Sequence, residues 1–180
     1  MRRYLVPLFV LLALCSCRVR EQGQDVPIAV FTAQQEGTGS RTQLDGLTVL
    51  WSSGDAISIF SPSVTAGQTY AMDSSGAGQA EATFSGPSVG SGPYYALYPA
   101  DAAASVEGTL MTVSLPAVQT YAVSGFAQGA NPMAAVSSDS RLNFKNLCGM
   151  LCIRLSGTAT VKSLSITSSK AEALWGTARV

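Results

Sequence analysis

The side chains that could do chemistry are few in this chain, and their spacing argues against most of what they could do. Histidine is absent, which removes the usual general base of a Ser or Cys triad and the commonest nitrogen ligand for zinc. Cys148 and Cys152 lie four apart in the body of the chain. On a strand they share a face but stand ~13 Å apart at ~3.3 Å per residue. A disulfide needs Cα atoms within ~7 Å, so both read as small buried apolar groups, even in an oxidising compartment. Asp73 beside Ser74 and Asp139 beside Ser140 have the make-up of Asx and Ser turns. Asp45 and Asp55 flank a hairpin as solvated turn residues, and no acid pair for glycoside hydrolysis stands out. Asp55 and Asp101 lack the dense acidic loop that calcium requires. The Gly-x-Gly triplets starting at Gly37, Gly76 and Gly90 lack the strand–turn–helix setting of a phosphate loop. The expectation is a protein that is not an enzyme, with no cofactor and no metal.

Aromatic residues offer a different chemistry. Tyr94, Tyr95 and Tyr98, with Trp51, Phe60 and Phe84, could line a sugar-binding surface. Alternation puts Tyr94 and Tyr98 on one face of a strand and Tyr95 on the other. With the first face packed on a core, Tyr95 is left as the surface ring of a glycan-binding alternative.

The N-terminus states where these residues would work. Arg2 and Arg3 precede an apolar run from Tyr4 to Leu14, too short to span a bilayer, and Ser16 is a small residue before a break. That is a secretory signal. Leu14-Cys15-Ser16-Cys17 also resembles the cleavage box of bacterial lipoproteins, which implies that Cys17 becomes the new N-terminus and carries acyl chains. Cys15 fits poorly because bulky Leu14 would sit at the cut. Each buried methylene contributes ~0.8 kcal/mol, so more than one chain anchors stably. An ordinary secreted protein with a chance Cys is the alternative.

The elements that must position these residues are strands. Only 12% of the chain is charged while 47% is hydrophobic, and Ser, Thr, Gly and Ala fill much of the rest. That composition favours sheet and turns over helix and is not that of a disordered chain. Net charge is zero, and no basic patch suits nucleic acid. Lys and Arg are absent between Arg41 and Arg141, where seven acids fall. Drift in a charge-poor surface explains this; so does a chain in which a trypsin-like protease that cuts at Arg41 meets no further site.

Residues 18–25 read as a tether and Val26 to Ala33 as a strand that Pro27 starts or places at an edge. Gln34 to Ser40 is a polar break. Leu47 to Trp51 and Ile57 to Phe60 read as a hairpin across Ser52-Ser53-Gly54-Asp55. Further strands are expected at Thr69 to Met72, Ala80 to Phe84, Pro93 to Tyr98, Leu110 to Leu115 and Met133 to Val136. Leu142, Phe144, the run from Met150 to Gly157 and Val161 to Thr167 continue the pattern. Ala100 to Ala104 is the best candidate for a helical turn. Ala173 to Val180 reads as a strand bent at Gly176 that stops without a polar tail, as in a fragment or the first domain of a longer product. Many short strands at this spacing indicate an all-β sandwich or barrel.

Taken in order, several segments resemble the fimbrillin family: Arg41-Thr42, Trp51 to Phe60 (WSSGDAISIF), Tyr94 to Pro99 (YYALYP), Leu115-Pro116 with Gln119, Asn131-Pro132-Met133, and Leu142 to Gly149 (LNFKNLCG). The resemblance covers roughly residues 28–180. It implies a transthyretin-like Greek-key β-sandwich, the N-terminal domain of a two-domain pilus subunit, tip or anchor acting in cell adhesion. Residues 1–16 would be the lipoprotein signal, 17–41 the tether and removable strand, and 42–180 the sandwich domain, with the donor strand beyond Val180. It further implies lipidation at Cys17, cleavage at Arg41 by an Arg-specific protease, loss of the strand Val26 to Ala33, and its replacement by a strand from another pilus subunit. Arg20 is the weaker processing site, since a cut there leaves the strand in place. Export and lipid anchoring in the outer membrane follow, at the cell surface or in the fimbrium. Arg18 and Arg20, where some such lineages place acids, leave the periplasmic face open. A glycan-binding surface lipoprotein using Tyr95 is the alternative.

Overall fold

Runs rich in Ile, Val, Tyr, Phe and Thr become strands wherever a partner completes the ladder. The computed structural model describes residues 26–35, 50–120, 126–127, 129–149, 151 and 153–180. Among them form β1 (Ile28–Gln35), β2 (Ala56–Ser61), β3 (Val64–Met72), β4 (Glu81–Pro87) and β5 (Tyr94–Tyr98). β6 (Val106–Glu107), β7 (Leu110–Leu115), β8 (Met133–Ser137), β9 (Arg141–Asn146) and β10 (Gly176–Arg179) follow. Helix among the described residues is limited to one 3-10 turn, Ser74–Gly76. Cys17, Arg20, Arg41, Cys152 and residues 47–49 lie outside the described residues.

The fold is all-β, as the composition requires. Seven strands close into a ring in the order β1-β4-β3-β2-β5-β8-β9. Every pairing around it is antiparallel except β1 with β9. Strands β4-β3-β2-β5-β8-β9 make one continuous sheet, and β1 joins its two end strands by pairing with both. This closure, rather than two separate Greek-key sheets, is the architecture. A second sheet, ordered β10-β7-β6, packs on the outside of the ring.

Two cores follow from the layering. Ile57, Ile59, Tyr70, Phe84, Leu142 and Phe144 fill the ring. Phe60, Tyr95 and Leu97 point the opposite way and meet Val106, Met111 and Val113 under the outer sheet. Strands β2 and β5 are thus covered on both faces, which is why their sequences read as near-continuous apolar runs. Ser58, buried within this layer, accepts from the Asp101 N–H at 3.0 Å and donates to the Asp101 carbonyl at 3.3 Å, so its hydroxyl is satisfied.

Several elements differ from the sequence expectation, each for a local reason. Trp51 is not in a strand; its backbone pairs with Gly78 and Gln79 at 2.8 and 2.9 Å. Residues 100–104 form a turn closed by Ala104 N to Asp101 O at 3.2 Å, too short to nucleate helix. The short β6 pairs with β7 through Gly108-Thr109, a two-residue hairpin that Gly108 permits with φ at +64°. Residues 153–167 carry no strand, and Leu151, Ile153, Leu155, Leu164 and Ile166 are exposed. Alternation makes a strand only where it finds a partner, and residues 153–167 pair with neither the ring nor the outer sheet. The last stretch does form β10, starting at the bend Gly176, where φ is +114°.

The two-core arrangement predicts unequal costs for deletions. Phe84→Ala, emptying a fully buried site, should destabilise by about 3–5 kcal/mol. Val136→Ala, on a residue 61% exposed, should change stability by less than about 0.5 kcal/mol. Urea unfolding of both variants checks this.

Candidate functional site

The seat of β1 is the part of the molecule where an interaction can be built. Strand β1 runs antiparallel to β4 along seven residue pairs, Ile28–Pro87 to Gln34–Glu81. On its other side it runs parallel to β9 over only four, Thr32–Arg141 to Gln35–Phe144. Residues Ile28 to Phe31 therefore have no ladder partner on the β9 side. Their outward side chains, Ile28 and Val30, are exposed apolar groups. The half of β1 nearest its C-terminal end is tied more firmly: Gln34 Nε2 donates to Asn143 Oδ1 at 2.7 Å.

The inward side chains of β1 enter the ring core. Phe31 packs edge-on against Tyr94 with centroids 4.9 Å apart and against Tyr70 at 5.4 Å. Ala33 is fully buried between Ala82 of β4 and Leu142 of β9. Burying a Phe contributes ~1.5–3 kcal/mol, and edge-on aromatic pairs add ~0.5–1.5 kcal/mol each. Gly86 lets the Tyr70 ring lie across β4, since a Cβ there would come within 2.8 Å of the ring. The Tyr70 hydroxyl donates to the Pro87 carbonyl. Burial, with the charge of Tyr94 adding, pushes the Tyr70 hydroxyl up to about 12.

A second cluster lies at one end of the ring, where Gln35, Leu50, Trp51, Asp55, Tyr98 and Met133 line a shallow depression. Tyr98 Oη donates to Asp55 Oδ1 at 3.0 Å, and Ser52 N donates to Asp55 Oδ2 at 2.7 Å. Asp55 is therefore engaged by its own turn and by Tyr98 rather than free for a ligand. Burial first, then the Asp55 charge and their hydrogen bond, raises the Tyr98 hydroxyl well above the ordinary range for a phenol.

The aromatic surface expected from sequence is not where alternation alone placed it. Tyr94 and Tyr98 do face the ring core, and Tyr95 does point away from it. But Tyr95 is 6% exposed, because β6 and β7 cover that face; it offers no platform for a sugar. Trp51, Phe60 and Phe84 are core residues as well. Of the cysteines, Cys148 is partly buried and free. The residues expected from sequence to be processed and lipidated, Arg41 and Cys17, lie outside the described residues, although Arg41 falls in the 36–49 connection that joins β1 to the rest of the ring. Sequence reasoning missed Tyr70, Gly86 and the Pro87–Gly90 loop; the only local signal was Gly86-Pro87, which marks a strand end. No protein-family model, curated protein or solved structure matches this chain.

The buried phenols predict an alkaline transition. A hydroxyl whose pKa is raised on folding supports the fold fully below its unfolded value, ~10, and loses that support as pH rises through the folded value. For Tyr70 the loss should run from pH ~10 to about 12. Urea midpoints measured across this window should fall for the parent chain and fall less steeply for Tyr70→Phe.

Proposed function

We propose that this chain is a structural component of a fimbrillin-type pilus, a subunit or pilus-associated lipoprotein that acts in adhesion and assembles by protease-triggered strand exchange. The observation that carries this reading is the position of β1: one N-terminal strand closes the ring, and only the 36–49 connection ties it covalently to the rest. In the proposed sequence of events Cys17 holds the exported chain to the outer membrane through acyl chains, two or more of which anchor stably. An Arg-specific protease cuts at Arg41, in a Gly- and Ser-rich stretch of the kind proteases favour. The β1 segment is then held by noncovalent contacts alone.

Loss of β1 would turn the ring into an open six-stranded sheet with β4 and β9 as bare edges. It would also uncover the sites of Phe31 and Ala33. Unpaired edge groups and wet apolar surface are both unfavourable, so an incoming strand with matching alternation gains hydrogen bonds and burial together. A head-to-tail donation of this kind does not close on itself and propagates as a filament.

Treating the full exported gene product with an Arg-specific protease tests the reading. The expected outcome is a single cut after Arg41, detergent-resistant ladders on gels, and no ladders from Arg41→Ala. A cut protein that stays monomeric with an unchanged melting temperature would contradict it.

A further inference from the structure

The seat of β1 is not a uniform apolar slot. We propose that it selects its occupant by side-chain size. The occupant is an extended segment of another polypeptide, running antiparallel to β4 and parallel to β9, with an aromatic ring at the position of Phe31 and a small residue two positions on, at the position of Ala33. The proposal rests on the strand-exchange reading above and specifies which strands can enter.

The aromatic site is walled by two rings whose hydroxyls bond to residues outside β1. Tyr94 Oη donates to the Gly90 carbonyl at 2.9 Å, and Tyr70 Oη donates to the Pro87 carbonyl. Pro87 is the last residue of β4, and Gly90 belongs to the loop that follows it. That loop is fixed from β2 and its turn: Ser61 and Ser63 hydroxyls donate to the Val89 carbonyl at 2.5 and 3.2 Å, and Val89 is itself buried. Ser88 N to Pro27 O at 2.7 Å and the Ile28–Pro87 ladder pair link this end of β4 to the β1 arm. When β1 departs, the other bonds stay, so the two tyrosines remain edge-on to a vacant ring-sized site. An aliphatic side chain there fills less of the volume and forfeits the edge contacts.

The neighbouring site is small for a separate reason. Ala33 lies in register with Ala82 on one side and Leu142 on the other. The 3-10 turn presses on Ala82 from behind: a Cβ on Gly76 would stand 2.6 Å from the Ala82 Cβ. Ala82 therefore has no room to retreat, and a larger residue in place of Ala33 overpacks the site. Ala29, partly buried opposite Gly86, extends the pattern to small-x-aromatic-x-small. The exposed apolar stretch at 151–167 does not match, since Leu151, Ile153, Leu155, Leu164 and Ile166 are all aliphatic. A second copy offering that stretch is not the occupant.

A competition experiment decides this. The full exported chain is cut with an Arg-specific protease, unfolded in denaturant and refolded with an equimolar isotope-labelled peptide of residues 26–35. Native mass spectrometry then reads which strand each folded molecule holds. The labelled parent peptide should share the seat about equally with the released strand. The Phe31→Ala peptide should be held about a hundredfold less, the Ala33→Leu peptide about tenfold less, and a peptide of residues 161–167 not at all. Equal retention of all four would overturn size selection while leaving strand exchange standing. A chain that resists cutting, or that refolds holding no added strand of any sequence, would overturn the exchange reading and this proposal with it.

Discussion

The double pairing of β1 is the constraint on which the rest of the structure depends. Six strands form a sheet whose ends, β4 and β9, would otherwise be edges, and a single strand spans them. The same strand delivers Phe31 and Ala33 to the interior. Edge satisfaction and core filling are therefore coupled in one element, so its removal costs both at once. The coupling is uneven along the strand. Thr32 to Gln34 are paired on both sides, whereas Ile28 to Phe31 are paired on one side only, with Ile28 and Val30 facing water. On the proposed reading, an invading strand would meet least resistance at that end.

The layer outside the ring serves a different purpose. With the outer sheet in place, β2 and β5 are buried on both faces, and Phe60, Tyr95 and Leu97 complete a second core with Val106, Met111 and Val113. None of these residues touches the seat of β1. In the loop after β4, the Val89 carbonyl is held from Ser61 and Ser63, outside the β1 strand. The scaffold around the seat thus has supports of its own, which on the proposed reading it would need between losing one strand and gaining another. The ion pair between Arg179 and Glu107 at 2.8 Å is exposed at both ends and adds little to this.

Much of the fold was legible in the sequence because period-two alternation survives in a chain this poor in charge. Ile57 and Ile59 against Ser58 and Phe60, and Leu142 and Phe144 against Asn143, mark their strands and their two faces. What alternation does not carry is what lies on each face. Tyr95 was correctly set apart from Tyr94 and Tyr98, but the two short strands that cover it come from residues 106–115, and β6 is too short to leave a pattern. Closure was equally hidden: β1 meets β9 more than a hundred residues away, as in the Gln34–Asn143 hydrogen bond. The runs at 153–157 and 161–167 mislead in the opposite sense, since they carry apolar residues in strand-like spacing yet find no ladder. The tyrosine pair at the β1 seat depends on one backbone carbonyl each, at the end of β4 and just past it, which no local motif announces.

The central claim is that β1 can leave the ring while its neighbours stay folded. Hydrogen exchange of the backbone amides, compared before and after cutting the 36–49 connection, tests it most directly. In the intact chain the amides of Phe31 and Ala33 should be protected like those of β2. After the cut, protection should fall selectively in β1, β4 and β9 and persist in β2 and β5. Unchanged protection of β1 after the cut, or loss of protection throughout the ring, would contradict the account.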